Sequence, residues 1–325
     1  MFDWGHKGSR FCQVLAGLLL AGLVAGCTPS EPLRVASHVW VGYEPMFLAR
    51  SMGWLDPALV GFHETDSATE SMAALSDGRV EAAALTLDEV LHLREAGLDL
   101  AVVLVFNISV GADVLLARPP IGSLADLRGR RVGFEHGAVG ELVVVEALRQ
   151  AGLTRQDIVA VDLPADQYKE AYETGMIDAM PAYEPAASRL EAQGAVKLFD
   201  SGQMPQYIVD VLAVRRDRLD SSAKALRHLV AQHLRALEYF QANPQDASFR
   251  VAPRLGLRAD QVSAAFRGLV LPDALENRRL LGGAVPVLQS DAQALVEYKL
   301  EQGLLDEGID LQSLFSARFL PSPES

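Results

Sequence analysis

The stretch VEAAALTLDEVLHLREAGLDLAVVLVF, residues 80–106, contains the patterns from which an α/β layer is built. The mostly apolar run at residues 80–85 predicts a strand, residues 87–96 form an amphipathic segment typical of a helix, and Gly97 can end that helix. Residues 100–106 form a second, wholly apolar run. A strand, a helix and a buried strand in this order predict a βαβ unit in a largely parallel sheet.

The same alternation extends in both directions from this stretch. Before it, residues 33–37 predict a strand, and Pro45 lies where a helix tolerates proline, in its first turn. After Asn107 a second series begins, and beyond Ser221 the chain is mostly helical. In that second series we predict strands at 114–117, 131–134, 158–163, 177–181 and 208–214, and helices at 140–151, 165–174 and 185–193.

Two series of elements predict two α/β lobes, and the chain would pass between them twice, near 110–113 and near 210–215. A double connection of this kind is a hinge, and ligands of such folds bind in the cleft at the carboxyl ends of the strands. We therefore predict a signal segment at 1–26, the first part of lobe I at 27–112, lobe II at 113–212, and the return to lobe I with C-terminal helices at 213–325.

The first residues have the composition of an export signal. Lys7 and Arg10 precede residues 14–26, which carry no charge and are too few to span a bilayer comfortably. The four residues ending at Cys27 resemble the lipobox of bacterial lipoproteins, which implies lipidation of Cys27. We expect a protein anchored by this lipid in the periplasm or at the cell surface; the alternative is an uncleaved membrane anchor.

Charge and cysteine content exclude several functions. The net charge of −13 and the lack of a basic run argue against nucleic acid binding. The two cysteines, Cys12 and Cys27, both belong to the leader or its cleavage site, so the folded body would hold no cysteine. A disulfide, thiol catalysis and cysteine-ligated zinc are then excluded. The seven histidines show no metal-ligand spacing, and no cofactor is expected.

Several motifs occur in the order found in one known family. They are Trp40-Val41-Gly42-Tyr43-Glu44-Pro45, Gly53-Trp54, residues 74–83, Ser109 to Asp113, residues 123–132, and Tyr183-Glu184-Pro185. In these motifs the chain resembles bacterial solute-binding proteins of the nitrate, sulfonate, taurine and thiamine-precursor type, described as SsuA/THI5-like or NMT1-like. The resemblance implies a class II periplasmic-binding-protein fold. It also implies a monomeric, non-enzymatic binding protein that delivers a small polar ligand to an ABC permease.

Glycine-rich and aromatic segments supply the first candidate ligand contacts. Gly137, Ala138 and Val139 lie between a strand and a helix, where free N–H groups can hold an anion or a polarised oxygen. An ordinary βα turn would have the same sequence. Trp40 and Tyr43 offer flat faces and polar tips to a ligand, or pack in the core instead.

Polar residues at strand ends supply the others. Thr86 is a ligand candidate, whereas Ser67 and Thr69 are expected to cap a helix. Ser109 and Asp113 bracket the first passage and would contact hinge backbone or ligand.

Tyr183, Glu184 and Asp210 complete the set of candidate contacts. If Asp113, Glu184 and Asp210 all faced the cleft, they would repel an inorganic anion and suit an amine, an amidine or a zwitterion. Alternatively, Glu184 caps the helix that begins at Pro185, and Asp210 pairs with an arginine. We interpret His38 as structural and leave it out of the site.

Two other functions are compatible with this sequence. A ligand-sensing module would report cleft occupancy to a membrane signalling protein. A cleft enzyme would need an acid–base pair with perturbed pKa values.

Overall fold

The computed structural model describes residue 1, residues 31–204 and residues 208–322. Cys27 and, apart from residue 1, the predicted signal segment lie outside the described residues. Residues Pro32–Ser325 form one compact unit. In the described part of the chain, no helix combines the length and apolarity needed to cross a membrane.

The described residues form eleven strands and eleven α-helices. The strands are β1 (Leu33–Ser37), β2 (Val60–Glu64), β3 (Ala82–Thr86), β4 (Leu100–Ser109), β5 (Val114–Ala117), β6 (Arg131–Phe134), β7 (Val159–Asp162), β8 (Ala179–Ala182), β9 (Val196–Asp200), β10 (Val209–Arg215) and β11 (Leu269–Val270). The helices are α1 (Glu44–Ser51), α2 (Ala68–Ser76), α3 (Leu87–Glu95), α4 (Val139–Gln150), α5 (Tyr168–Glu173), α6 (Ala186–Ala192), α7 (Ala223–Ala242), α8 (Pro244–Leu255), α9 (Ala259–Ala265), α10 (Ala274–Leu281) and α11 (Val287–Glu301).

The strands form two mixed sheets. The first has the order β11-β4-β10-β3-β1-β2 and the second the order β7-β6-β8-β5-β9. Only β1–β2, β1–β3, β6–β7 and β6–β8 are parallel among the described pairings, so the prediction of largely parallel sheets is wrong. The reason is the double connection. The chain leaves the first sheet at the end of β4 and returns to it in β10, which lies beside β4, so the two strands run in opposite directions. In the second sheet β5 and β9 are antiparallel in the same way.

The chain passes between the sheets after β4 and again after β9. The sequence analysis placed the second passage at 210–215, but these residues belong to β10 of the first sheet. The predicted end of lobe II at residue 212 therefore falls inside this strand. The two passages are tied together by Ser201, whose Oγ lies 2.8 Å from Ser109 Oγ and accepts the amide of Gly111 at 2.7 Å. This contact fixes the place about which the two sheets would hinge.

Local sequence signals set the helix starts nearest the cleft. Ser67 accepts the amide of Glu70 at 3.1 Å and begins α2. Thr86 accepts the amide of Glu89 at 3.3 Å, and the Glu89 carboxylate accepts the amide of Thr86 at 2.8 Å. This reciprocal capping box begins α3 directly after β3, at the carboxyl end of a central strand.

An apolar seam joins the two sheets. One cluster of buried side chains contains Leu85 and Leu91 from the first series and Leu115 and Phe134 from the second. The lobes are therefore in contact, and polar residues at this boundary are removed from water.

Candidate functional site

A small cavity of about 20 Å³ lies between the two sheets. This volume is enough for about one water molecule. Its polar lining comes from both sheets and from the first passage. It comprises His38, Asp113, Glu135, Tyr168 and Tyr183, beside the apolar groups of Ala68, Val139, Gly140, Val143, Ala165, Pro181 and Ala182. We call it the inner cavity.

A second cavity of about 230 Å³ adjoins the inner one, and we call it the outer cavity. Tyr168 and Tyr183 line both cavities, and the outer one also has Asp66, Lys169 and Arg189 in its wall. Two larger hollows, of about 530 and 850 Å³, share no lining residue with either of them. The inner and outer cavities together therefore define the cleft.

Two hydrogen bonds cross the cleft, each from a helix N-terminus to a carboxylate of the other lobe. Glu135, which follows β6, accepts the amide of Thr69 in the first turn of α2 at 3.3 Å. Glu89, in α3, accepts the amide of Val139 at the start of α4, also at 3.3 Å. Carboxylates are favoured at helix N-termini, where N–H groups lack intrahelical partners. The chain's own acids thus hold the two lobes together.

These bonds correct the predicted role of the glycine-rich turn. The amide of Gly137 donates to Glu141 Oε2 at 2.8 Å, and that of Val139 donates to Glu89. Donors that the sequence assigned to a ligand are therefore engaged by protein carboxylates. Ala138 is buried at the N-cap of α4 and does not line the inner cavity. Both carboxylate partners, Glu141 and Glu89, are acids in the first turn of a helix, and this was the available sequence signal.

A buried polar cluster lies behind the cavity. Tyr43 donates its hydroxyl to Asp210 Oδ1 at 2.6 Å. With its amide oriented to satisfy both neighbours, Asn107 donates to Asp210 Oδ2 at 2.9 Å and accepts from Trp40 Nε1 at 3.2 Å. Asp210 is thus held by Tyr43 and Asn107, and the alternative of an arginine partner is wrong. A Cβ at Gly42 would lie 1.9 Å from the side-chain amide of Asn107, which explains a glycine between Trp40 and Tyr43.

Three further candidates have structural partners. Thr86 caps α3, and Ser109 bonds across the hinge. Glu184 accepts the hydroxyl of Ser188 at 2.5 Å, but the N-cap of α6 is Pro185, without a side-chain cap hydrogen bond, so the alternative of Glu184 as its cap is wrong. Of the predicted contacts, the structure places Asp113, Val139 and Tyr183 in the lining of the inner cavity. It adds Glu135 and His38, which the sequence analysis did not select.

Burial shifts the acids around the cleft toward their protonated forms. It raises the pKa of Asp113 to about 6, that of Glu89 to about 8, and that of Asp210 well above its usual range. Burial also raises the pKa of Glu135. The pKa of the Tyr183 hydroxyl is raised well above its usual value by burial and then by Glu135, Glu89, Asp113 and Asp210. Tyr183 therefore lies within the field of four carboxyl groups.

The described residues of the cleft do not form a metal-binding cluster. Within the residues that the structure describes, no three or more His, Cys, Asp or Glu side chains are arranged to hold a metal ion.

Two α/β lobes, connected twice and enclosing a polar cavity between them, define the class II periplasmic-binding-protein fold. The comparison with known proteins specifies the family within that class.

The chain belongs to the NMT1/THI5 like family, whose model matches residues 43–247. It is 29% identical over 194 residues to the "Putative aliphatic sulfonates-binding protein" of Escherichia coli (strain K12), and spans 61% of that protein and 58% of its own length. It is 25% identical over 224 residues to the taurine-binding periplasmic protein of the same strain, covering 67% of that protein and 68% of this chain.

Solved structures share the fold. The alkanesulfonate-binding protein SsuA from Xanthomonas axonopodis pv. citri, bound to MOPS, has a TM-score of 0.72 at 19% identity, covering 86% of this chain and 96% of that one. The family and fold predicted from the sequence are confirmed.

Proposed function

We propose that this chain is the extracytoplasmic binding protein of an ABC importer and captures a small polar organic molecule in its cleft. The observation that carries the proposal is the pair of cross-cleft hydrogen bonds, Glu135 to Thr69 and Glu89 to Val139, around an enclosed cavity. The relatives named for sulfonate and taurine binding support the same class of function. The sensing alternative is not favoured by these comparisons.

The proposed mechanism is ligand-stabilised closure. The inner cavity has room for about one water molecule, so a larger ligand enters only when the lobes separate. The passages joined by Ser109 and Ser201 are the proposed hinge. A ligand that contacts both lobes favours the closed form, and the permease recognises that form. The protein acts as a monomer, without a cofactor and without catalysis.

Ligand binding should depend on Tyr183. The melting temperature of the purified chain is measured against sulfonates, taurine, nitrate, bicarbonate, aminopyrimidines and quaternary amines. A ligand at 100 times its Kd stabilises the folded state by about 2.7 kcal/mol. Tyr183→Ala should abolish the response, because Tyr183 lines both cavities, and it should change the unliganded melting temperature little, because Tyr183 is only half-buried.

Tyr239→Ala is the matched control, since Tyr239, on α7, is half-buried and packs against Trp54. The control should respond like the unaltered chain. A normal affinity in Tyr183→Ala would place the site elsewhere, and no response to any compound of the panel would refute the proposed function for these ligands.

We also propose that a lipid on Cys27 anchors the protein in the periplasm or at the cell surface. The basis is the sequence, in which Cys27 directly follows the apolar run. Cys27→Ala should move the protein from the membrane fraction to the soluble fraction and prevent incorporation of labelled palmitate. Cys12→Ala, within the leader, should change neither result. Cys27→Ala protein that stays with the membrane would contradict the proposal.

A further inference from the structure

The inner cavity is lined by acids and aromatic rings, and none of its lining residues is a lysine or an arginine. Asp113 and Glu135 are in the lining. The basic group in the lining is His38, whose pKa is lowered to about 4 by burial and then by Arg254. His38 is therefore neutral at physiological pH, whereas the Asp113 carboxyl, whose pKa is raised only to about 6, is ionised there, so the inner cavity presents a carboxylate and no lysine or arginine.

Two polar atoms of the lining have no partner. Asp113 is 6% exposed, and its Oδ2 accepts no hydrogen bond; His38 is also 6% exposed, and its Nδ1 has no partner. A buried polar atom left without a partner costs free energy, and most such atoms in folded proteins are satisfied. These two atoms thus mark a place for a ligand's hydrogen-bonding group, and the Asp113 carboxylate requires a donor.

Aromatic rings surround the same place. Tyr183 makes an edge contact with Trp40 at 5.3 Å between ring centroids and lies 6.2 Å from the ring of His38. Aromatic faces attract cations through their quadrupole, most strongly where water is excluded. The aromatic rings and the Asp113 carboxylate therefore both favour a positively charged ligand.

An anion has little to bind in the inner cavity. The helix N-termini facing the cleft already donate to protein carboxylates, Thr69 to Glu135 and Val139 to Glu89. A sulfonate in this place would find both N-terminal amides occupied and would lie beside the Asp113 carboxylate. Placing a sulfonate beside the Asp113 carboxylate in a site shielded from water is costly, because the two charges have the same sign.

On the basis of the proposed function, we propose that the ligand brings a cationic nitrogen, as an alkylammonium or amidinium group, into the inner cavity against Asp113. An ammonium group is about the size of a water molecule, which matches the inner volume of about 20 Å³. The outer cavity, about 230 Å³, shares Tyr168 and Tyr183 with the inner one and takes the rest of a small organic molecule.

The test compares cations and anions of equal size on the purified chain. Butylammonium and benzamidinium are titrated beside butanesulfonate and benzenesulfonate, with the melting temperature and calorimetric heat as readouts. The cations should raise the melting temperature and the sulfonates should not. Asp113→Asn keeps the shape of the side chain and removes its charge, so it should weaken cation binding at least about tenfold. Its unliganded melting temperature should not fall, because a buried charge is removed.

Glu146→Gln is the matched control: Glu146 is 1% exposed on α4, is bonded to Arg149, and does not line the cleft. This variant should bind the cations normally. A second measurement, made on the unaltered chain, tests the proposal even if Asp113→Asn does not fold. Near pH 6, cation binding should release protons, giving heats that depend on the buffer, because Asp113 must ionise.

The possible results distinguish the proposal of a cationic ligand from the proposed binding-protein function on which it rests. Binding of the sulfonates alone would overturn the cationic ligand and leave the binding-protein function intact. Cation binding that is unaffected in Asp113→Asn or that releases no proton would also overturn it. No response to these four compounds or to the wider panel would overturn both.

Discussion

Replacement of Lys299 by methionine should lower the free energy of unfolding by about 3–5 kcal/mol, a large share of the roughly 5–15 kcal/mol typical of a domain. Lys299 lies on α11, and its Nζ is 2.5 Å from Asp88 Oδ1 and 3.2 Å from the Asp88 carbonyl oxygen. Both residues are 2% exposed. Methionine is one heavy atom shorter, so it keeps most of the apolar stem but leaves the Asp88 charge buried without its partner.

Urea-induced unfolding measures this loss, and two variants identify its cause. Lys299→Met combined with Asp88→Leu should recover most of the stability, because two apolar groups replace both charges. Arg279→Met removes an exposed ion pair with Glu276 and should have little effect. If the double variant were no more stable than Lys299→Met, lost packing would be the cause.

Between pH 6.5 and pH 8 the protein should become less stable. Burial raises the pKa of Glu89 to about 8 and that of Asp210 well above its usual range. The folded state therefore binds more protons than the unfolded state, and the stability present below the unfolded pKa is lost as pH rises through the folded pKa. At about 1.4 kcal/mol per pH unit, Glu89 alone lowers the unfolding free energy by roughly 2 kcal/mol over this range, and Asp210 acts in the same direction.

Buried histidines oppose this trend only at lower pH. Burial lowers the pKa of His38 to about 4 and that of His233 to about 3, so their contribution increases with pH up to about 6.5 and is then complete. Urea titrations at several pH values from 6.5 to 8 measure the decline. Glu89→Gln should make the decline smaller, whereas Glu146→Gln should preserve it. A flat profile in the unaltered chain would show that the cleft acids are ionised in the folded state.

Much of the fold was predictable because its signals are local. The strand at residues 33–37, the capping of α2 by Ser67 and the buried run of β4 each depend on neighbours in sequence. The strand β2 (Val60–Glu64) was not predicted: among the described strands it pairs with β1 alone, it is partly exposed, and it contains glycine, histidine and glutamate. Edge strands carry a weak apolar pattern because one side of their surroundings is solvent.

The candidate site was predictable in part. Asp113 and Tyr183 were found because they follow strands at the predicted cleft, and both line the inner cavity. Thr86 has the same kind of position but caps its own helix, since a hydroxyl at a helix start serves either purpose. Glu89 and Glu135 were missed because their sequence neighbours indicate only a helix start and a strand end.

By itself, the sequence determined the family, the two α/β lobes and the acidic, aromatic character of the residues at the strand ends. The tertiary structure alone decided that Glu135 reaches the amide of Thr69, that Glu89 reaches the amide of Val139, and that Asp113 keeps an unpartnered oxygen. The physical reason is distance along the chain: these partners lie 66 and 50 residues apart, and closure of the lobes brings them together. Burial at that closed boundary then raises the pKa values of Glu89, Glu135 and Asp113.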